Sequence, residues 1–316
     1  MPECRHILLT GGTSGIGLEA TSRLLQAGHR LSVLCRNGAT AAALRQRLSG
    51  SLSTPICDLA DLQAVGRCAH GLLEANAVID TLVLNAGLQY TGAPQPRWSV
   101  QGFELTLAVN HLAHQALLQQ VMPLLRLASA PRLVVTASEV HDPSTPGGRV
   151  GPPAGLGQLD GLRHGPGAVM IDGCSRFSAD KAYKDSKLCN LLMARHAARH
   201  GSIPVLAWSP GLVIPRTQGG FFRDSRRHNP IGQAVFAFVA RDLLRLTEST
   251  GRAGALLAAL ASDPAHGAPG FRYWSNRVLG PGQLRFEQRQ PSPDACNDDL
   301  ADTLWQLSAQ ACGLQG

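Results

Sequence analysis

Tyr183 and Lys187 stand four residues apart in the stretch Ala182-Tyr183-Lys184-Asp185-Ser186-Lys187-Leu188-Cys189-Asn190. On a helix this spacing puts both side chains on one face, one turn apart. An unperturbed phenol has a pKa near ~10, too high for easy proton transfer at neutral pH. A neighbouring ammonium favours the phenolate and lowers that value. The pair is therefore a candidate general acid/base unit, with Tyr183 moving the proton and Lys187 tuning it. An amphipathic helix with a chance Tyr and Lys would show the same spacing, so the rest of the chain must decide.

The elements that would position such a pair start at the N-terminus. His6-Ile7-Leu8-Leu9-Thr10 reads as a short buried strand. It runs into Gly11-Gly12-Thr13-Ser14-Gly15-Ile16-Gly17, and Leu18 to Ala27 read as a helix. A strand, a glycine-rich turn and a helix start make a phosphate cradle, because glycines admit the backbone and the helix N-terminus offers N–H donors. Arg30 to Cys35 carry a second strand, ending in Arg36-Asn37. A NAD site usually places an acid ~20 residues beyond the glycines to hold the ribose hydroxyls. Arg36 stands there instead, and a guanidinium pairs with a 2′-phosphate. NADP(H) is thus expected over NAD(H), although an arginine in a surface loop can also be simply solvated. Residues 39–49 look like the next helix, and Ile56-Cys57-Asp58-Leu59 ends a third strand. Asp58 has two equally good jobs there, accepting from an adenine amine or capping a helix.

Ile79 to Leu84 form a fourth apolar strand, followed by Asn85-Ala86-Gly87. A helix from about Gln101 carries Asn110, His111 and His114, and Leu133 to Thr136 make a fifth strand ending at Ser138. Strands alternating with helices imply an α/β fold, a Rossmann-type doubly wound parallel sheet with its chemistry at the carboxyl ends of the strands. From His141 to Ser178 the pattern breaks into a Pro/Gly-rich excursion, which puts 45 positions between Ser138 and Tyr183. Such long loops are usually lids, binding loops or disordered. Ile203 to Trp208 give a sixth strand, ending in Ser209-Pro210-Gly211-Leu212. Residues 231–246 read as a core-facing amphipathic helix, whose Arg241 and Arg245 could alternatively face an acidic membrane surface. Gly270 to Trp274 predict a last short strand, and Asp298 to Cys312 a terminal helix. With no internal repeat and no linker, residues 1–316 read as a single domain with an insertion at 141–178.

Composition bounds the function classes. The 316 residues are 44% hydrophobic with 34 Gly, suiting a globular core with many tight turns. No apolar run reaches the ~18 residues of a spanning helix, and no leader pattern precedes the first strand, so a cytoplasmic location is expected. Eight scattered cysteines form no metal-ligand spacing and read as reduced thiols; no metal is expected. The net charge of +7 is spread out, favouring anionic partners such as a phosphorylated cofactor, a carboxylated substrate or, peripherally, a membrane surface. Nothing resembles a nucleic-acid-binding motif. A homo-oligomer stays open.

The run from Thr10-Gly11 to Gly17, Asp58, Asn85-Ala86-Gly87, Asn110, Ser138, Tyr183/Lys187 and Pro210-Gly211 together resemble the short-chain dehydrogenase/reductase superfamily. That resemblance implies Tyr183 as proton donor and Ser138 as its oxygen-binding partner. It also implies Lys187 on the nicotinamide ribose, and Asn110 steadying a water or backbone carbonyl near Lys187. By the same likeness Thr10, Gly11, Thr13, Ser14, Gly15, Ile16, Gly17, Arg36, Asp58, Leu59, Asn85, Ala86, Gly87, Tyr183, Lys187, Pro210 and Gly211 would line the cofactor.

A narrower likeness covers almost the whole chain. The stretch Ala182 to Asn190 is similar to the active-site helix of the light-dependent protochlorophyllide oxidoreductase family. So are Gly102-Phe103-Glu104-Leu105, Asn110-His111-Leu112-Ala113-His114, the excursion with Gly147-Gly148-Arg149 and Pro152-Pro153, Tyr273-Trp274-Ser275 and Trp305-Gln306-Leu307-Ser308. The likeness implies hydride transfer from NADPH to a tetrapyrrole double bond after the pigment absorbs light, in chlorophyll biosynthesis. Two positions depart from that family: Leu212 stands where it has cysteine, and Ser138 where it usually has threonine. They support an alternative, a dark NADP-dependent alcohol/carbonyl reductase of the retinol dehydrogenase kind on a lipophilic substrate. A third reading, a non-catalytic NADPH-binding protein, conflicts with the presence of Ser138, Tyr183, Lys187 and Asn110 together.

Overall fold

The computed structural model describes residues 4–214, 223–228 and 230–315. Along the chain run β1 (His6–Thr10), α1 (Gly15–Gln26), β2 (Arg30–Leu34), α2 (Gly38–Arg47), β3 (Leu52–Ser53), α3 (Leu62–Glu74) and β4 (Thr81–Leu84). A helical stretch follows: α4 (Leu105–Leu107), a π segment (Ala108–Leu112) and α5 (Ala113–Arg126). Next come β5 (Arg132–Thr136), α6 (Pro146–Arg149), α7 (Asp160–His164), α8 (Ala179–Gly201), β6 (Pro204–Ser209), α9 (Arg223–His228) and α10 (Pro230–Ala237). The chain closes with α11 (Thr250–Ser262), β7 (Gly270–Gly280), β8 (Gln283–Arg289) and α12 (Asp298–Ala311).

The strands form one sheet in the order β3-β2-β1-β4-β5-β6-β7-β8. Every adjacent pair is parallel except β7 with β8. The chain is an α/β protein with a doubly wound sheet. Strand residues alternate between two cores, as a two-residue side-chain period requires. Leu8, Leu82, Leu84, Leu133 and Val135 join the core under α3, α5, α8 and α12, while Ile7, Leu9, Val83 and Val134 join the core under α1, α2 and α11. With both faces covered, the central strands read as unbroken apolar runs. Each such Leu or Val taken out of water contributes about 1.5–3 kcal/mol. The strand order reverses between β1 and β4, and the crevice at their carboxyl ends is where such folds bind ligands.

Several local expectations need correction. The third strand lies at Leu52–Ser53, and Ile56 makes only an isolated bridge to Cys35. Pro55, which has no N–H to give, interrupts the ladder. Asp58 is not a helix cap: Asp61 caps α3 by accepting from Gln63 N. The last strand is not short but runs eleven residues and turns back into β8. Residues 231–246 are not one core-facing helix. They hold most of α10 and a π segment (Phe238–Leu243), with Ile231 78% and Leu243 63% exposed. Among the described residues no helix is long and apolar enough to cross a membrane.

Candidate active site

Two glycines of the first turn are required by close approach of neighbouring backbone. Gly11 has φ +70°, and a Cβ there would lie 2.7 Å from Ala86 Cα. At Gly17 a Cβ would lie 2.1 Å from Gly11 O. Nothing lies within 4 Å of a Cβ built on Gly15, so the turn opens outward there. Ser14 is the N-cap of α1, yet its side chain makes no capping bond, and the first turn carries no acid. These features fit a pyrophosphate at the helix start. Thr13 and Ile16 are half-buried in the same turn. Arg36 is exposed just beyond β2, beside Asn37, which caps α2 through Thr40 N.

Thr10, closing β1, organises the neighbouring strand end. Its hydroxyl oxygen accepts from Asn85 N at 2.9 Å and Ala86 N at 3.0 Å, and lies 3.0 Å from His114 Nε2. His114 Nδ1 lies 3.0 Å from Asn110 O. A neutral ring donating from Nδ1 leaves Nε2 to accept the Thr10 proton. Burial pushes His114 down to about 3, so the ring stays neutral. Asn85 donates to Thr10 O at 3.3 Å and Gly11 O at 3.4 Å, and accepts from the Thr136 hydroxyl at 3.1 Å. Asp58 is tied to its own turn by accepting from Ala60 N at 3.0 Å, and Leu59 packs against the core.

The candidate chemical groups meet at the ends of β4, β5 and β6. Tyr183 and Lys187 both lie on α8, and Lys187 Nζ is 5.6 Å from the Tyr183 ring centroid. Ser138, just past β5, lies near enough to the Tyr183 side chain to draw its phenol downward. Lys187 Nζ donates to Thr136 O at 3.1 Å, and Asn190 Nδ2 approaches the same carbonyl at 3.3 Å. Asn110 sits in the π segment, where helices often deform at functional positions. It accepts from Leu88 N at 2.8 Å and donates to Leu88 O and Ser186 Oγ, each at 3.0 Å. The carbonyl steadied by Asn110 is thus Leu88 O, whereas Lys187 uses Thr136 O. A Cβ on Gly87 would come within 3.5 Å of both Asn110 Oδ1 and Lys187 Nζ, so the strand end, the asparagine and the lysine are close neighbours. Gly211 has φ +77°, and Asn276 Nδ2 donates to Pro210 O at 3.3 Å, which fixes the turn after β6.

The electrostatics correct one expectation. Burial pushes the Tyr183 phenol up, and the group that pulls it back is Ser138 rather than Lys187. Burial also pushes Lys187 down to about 8. Desolvation penalises both charged forms and outweighs an attraction that acts across the ring.

Three positions escaped the sequence argument. Thr136 joins Asn85, Lys187 and Trp208, whose Nε1 donates to its hydroxyl at 2.9 Å. His141 is buried, with Nδ1 2.6 Å from Ser138 O. Lys184 is buried next to Tyr183. Thr136 looked like any strand residue. At the far end of α8, His196, His200 and Asp302 converge, but Asp302 accepts from Arg199 at 2.9 and 3.1 Å, making this an ion-pair clasp to α12.

The profile of the family described as short chain dehydrogenase matches residues 5–149. Protochlorophyllide reductase A, chloroplastic, of Oryza sativa subsp. japonica is 32% identical over 322 residues, covering 98% of this chain and 80% of that protein. An uncharacterised protein from Mycobacterium paratuberculosis, solved by crystallography, shares 25% identity at a TM-score of 0.68, covering 98% of this chain and 94% of its own. The Pseudomonas aeruginosa RhlG/NADP active-site complex shares the fold at a TM-score of 0.60 and 24% identity, covering 86% of this chain and 94% of its own.

Proposed function

The chain belongs to the short-chain dehydrogenase/reductase family, and on that premise we propose that it reduces a tetrapyrrole double bond of the protochlorophyllide type. It is an NADP-dependent oxidoreductase. The reading treats residues 1–316 as one NADP-binding unit with 141–178 as an insertion. Its strongest support is the relation to protochlorophyllide reductase, 32% identical over 98% of the chain.

In this proposal NADPH, when bound, supplies a hydride to one carbon of the double bond. Gly11, Gly15 and Gly17 admit its pyrophosphate, Ser14 and Ile16 offer backbone donors, and Arg36 takes the 2′-phosphate. Tyr183 gives a proton to the neighbouring carbon, so the product gains one hydride and one proton. Lys187 holds the nicotinamide ribose through its ammonium. Ser138 holds the Tyr183 hydroxyl in place. Asn85, Ala86, Gly87, Pro210 and Gly211 form the walls against the nicotinamide end.

A second reading is a dark reductase of a lipophilic carbonyl. The specific observation that favours it is Ser138 paired with Tyr183, an arrangement able to bind one carbonyl oxygen from two hydroxyls. Leu212 in the turn after β6 offers no proton and suits a lipophilic substrate. A cytoplasmic location is part of the proposal, whereas the named relative is chloroplastic. A chain of net charge +7 with Ile231 and Leu243 exposed can also rest on an anionic membrane surface.

The test mixes protein, NADPH and protochlorophyllide in darkness and then illuminates. A red shift in absorbance only after light supports pigment reduction. Absence of pigment binding, with NADP-linked oxidation of lipophilic alcohols in the dark, supports the second reading.

A further inference from the structure

The Lys184 side chain is 5% exposed and sits one residue beyond Tyr183. Its Nζ donates to three backbone carbonyls, Gly148 O at 2.9 Å, Val150 O at 2.6 Å and Pro152 O at 2.9 Å. An ammonium has three N–H groups, and all three are used. The neighbouring turn of α8 adds further ties. Lys181 Nζ donates to Gly155 O at 2.6 Å and pairs with Asp172 at 2.9 Å and Asp185 at 2.6 Å. Asp185 Oδ1 accepts from Gly155 N at 2.9 Å. The segment 148–155 is therefore bolted to the 181–185 turn by side chains of α8.

The other end of this segment leads back to Ser138. Thr145 Oγ1 lies 2.9 Å from Glu139 O and 2.8 Å from Asp142 O, and Gly148 N donates to Thr145 Oγ1 at 3.0 Å. A Cβ at Gly148 would lie 1.9 Å from Asp142 O, so residues 139–148 form a tight knot. Glu139 N donates to Ser209 Oγ at 3.0 Å, which ties the start of the knot to β6. Successive helix residues point about 100° apart, so Tyr183 can face Ser138 while Lys184 faces the knot.

We propose that Lys184 is a positioning residue that registers Ser138 against Tyr183 through the 139–152 segment. This rests on the proposed roles of that pair. The excursion then works as a buttress behind the proton donor. A methionine at this position would fill the volume but leave three carbonyls without a partner, a loss concentrated beside the proton donor. Small displacements of reacting groups are enough to cost up to about 100-fold in rate.

The test is Lys184→Met, with Lys184→Arg as the conservative partner and Lys184→Gln measured if the methionine variant does not fold. Carbon-13 labelling of the tyrosine Cζ gives three signals, from Tyr90, Tyr183 and Tyr273, and Tyr183→Phe assigns the relevant one. Ser138→Ala supplies the reference for a lost hydrogen bond. The expected result is that Lys184→Met moves the Tyr183 signal toward its Ser138→Ala position, while Lys184→Arg leaves it near wild type. With substrate, kcat falls about tenfold, NADPH affinity stays within about twofold, and Lys184→Arg restores most of the rate. A Tyr183 signal unmoved in folded Lys184→Met or Lys184→Gln overturns the inference. The spectroscopic arm needs no turnover, so failure of the proposed reaction is seen separately, as a wild-type protein without activity.

Discussion

The Thr10 hydroxyl and His114 Nε2 lie 3.0 Å apart across 104 positions of sequence. This contact locks the end of the first strand to the helix that carries Asn110. It works only while the imidazole can accept, that is, while His114 is neutral.

Acid should therefore loosen the protein at this point. Burial pushes His111 and His114 each down to about 3 from an ordinary value near 6.5. Below about pH 6.5 the unfolded chain takes up protons that the folded one refuses, so stability falls as pH drops toward 3 and is retained above 6.5. Chemical denaturation at pH 7.5 and pH 5 checks this. Wild type should lose more stability over that interval than His114→Gln; equal losses would count against the assignment.

Gly17→Ala should damage both fold and cofactor binding. The added methyl would meet Gly11 O at 2.1 Å, and overpacking of this kind costs about 1–3 kcal/mol. NADPH affinity is expected to drop at least about tenfold, since the turn must move. Gly71→Ala, inside α3 with open space around it, is the control and should be neutral or stabilising. Nucleotide fluorescence titration and thermal melts read both effects.

On the proposed reading Arg36 carries the cofactor preference. Removing a charge-assisted contact costs about 1.5–3 kcal/mol, or roughly 10- to 150-fold. Arg36→Ala should weaken NADPH by that amount and leave NADH binding nearly unchanged. A constant ratio of the two dissociation constants would show that the guanidinium is merely solvated.

Alkaline pH should stop the reaction early. Burial holds Lys187 down at about 8, so its ammonium is lost as pH rises through that value. The free-enzyme profile, kcat/KM, should bend downward near pH 8. A plateau reaching pH 10 would mean that the charge is not needed.

Much of this molecule was legible before its coordinates. Apolar runs such as Ile7 to Leu9 and Leu82 to Leu84 are buried on both faces, and that burial leaves a direct mark on sequence. The glycine turn was equally plain, because the tight approach at Gly11 and Gly17 tolerates no side chain. Strand β8 was missed because it is an edge strand of mostly exposed polar residues, announced only by Gly280-Pro281-Gly282. The exposed apolar face at Ile231 and Leu243 was misread as core-facing, since helical periodicity shows that a face exists and says nothing of what covers it. The Tyr183/Lys187 pairing was right in placement and wrong in electrostatics. Spacing reports proximity, but desolvation depends on everything packed around the pair.

The most direct measurement compares wild type with Tyr183→Phe, using NADPH and protochlorophyllide under illumination, alongside an NADPH binding titration. The account predicts turnover by wild type, a loss of about 100- to 10,000-fold in the variant, and NADPH affinity unchanged between the two. A variant that keeps the wild-type rate would contradict the assignment of Tyr183 as the proton donor.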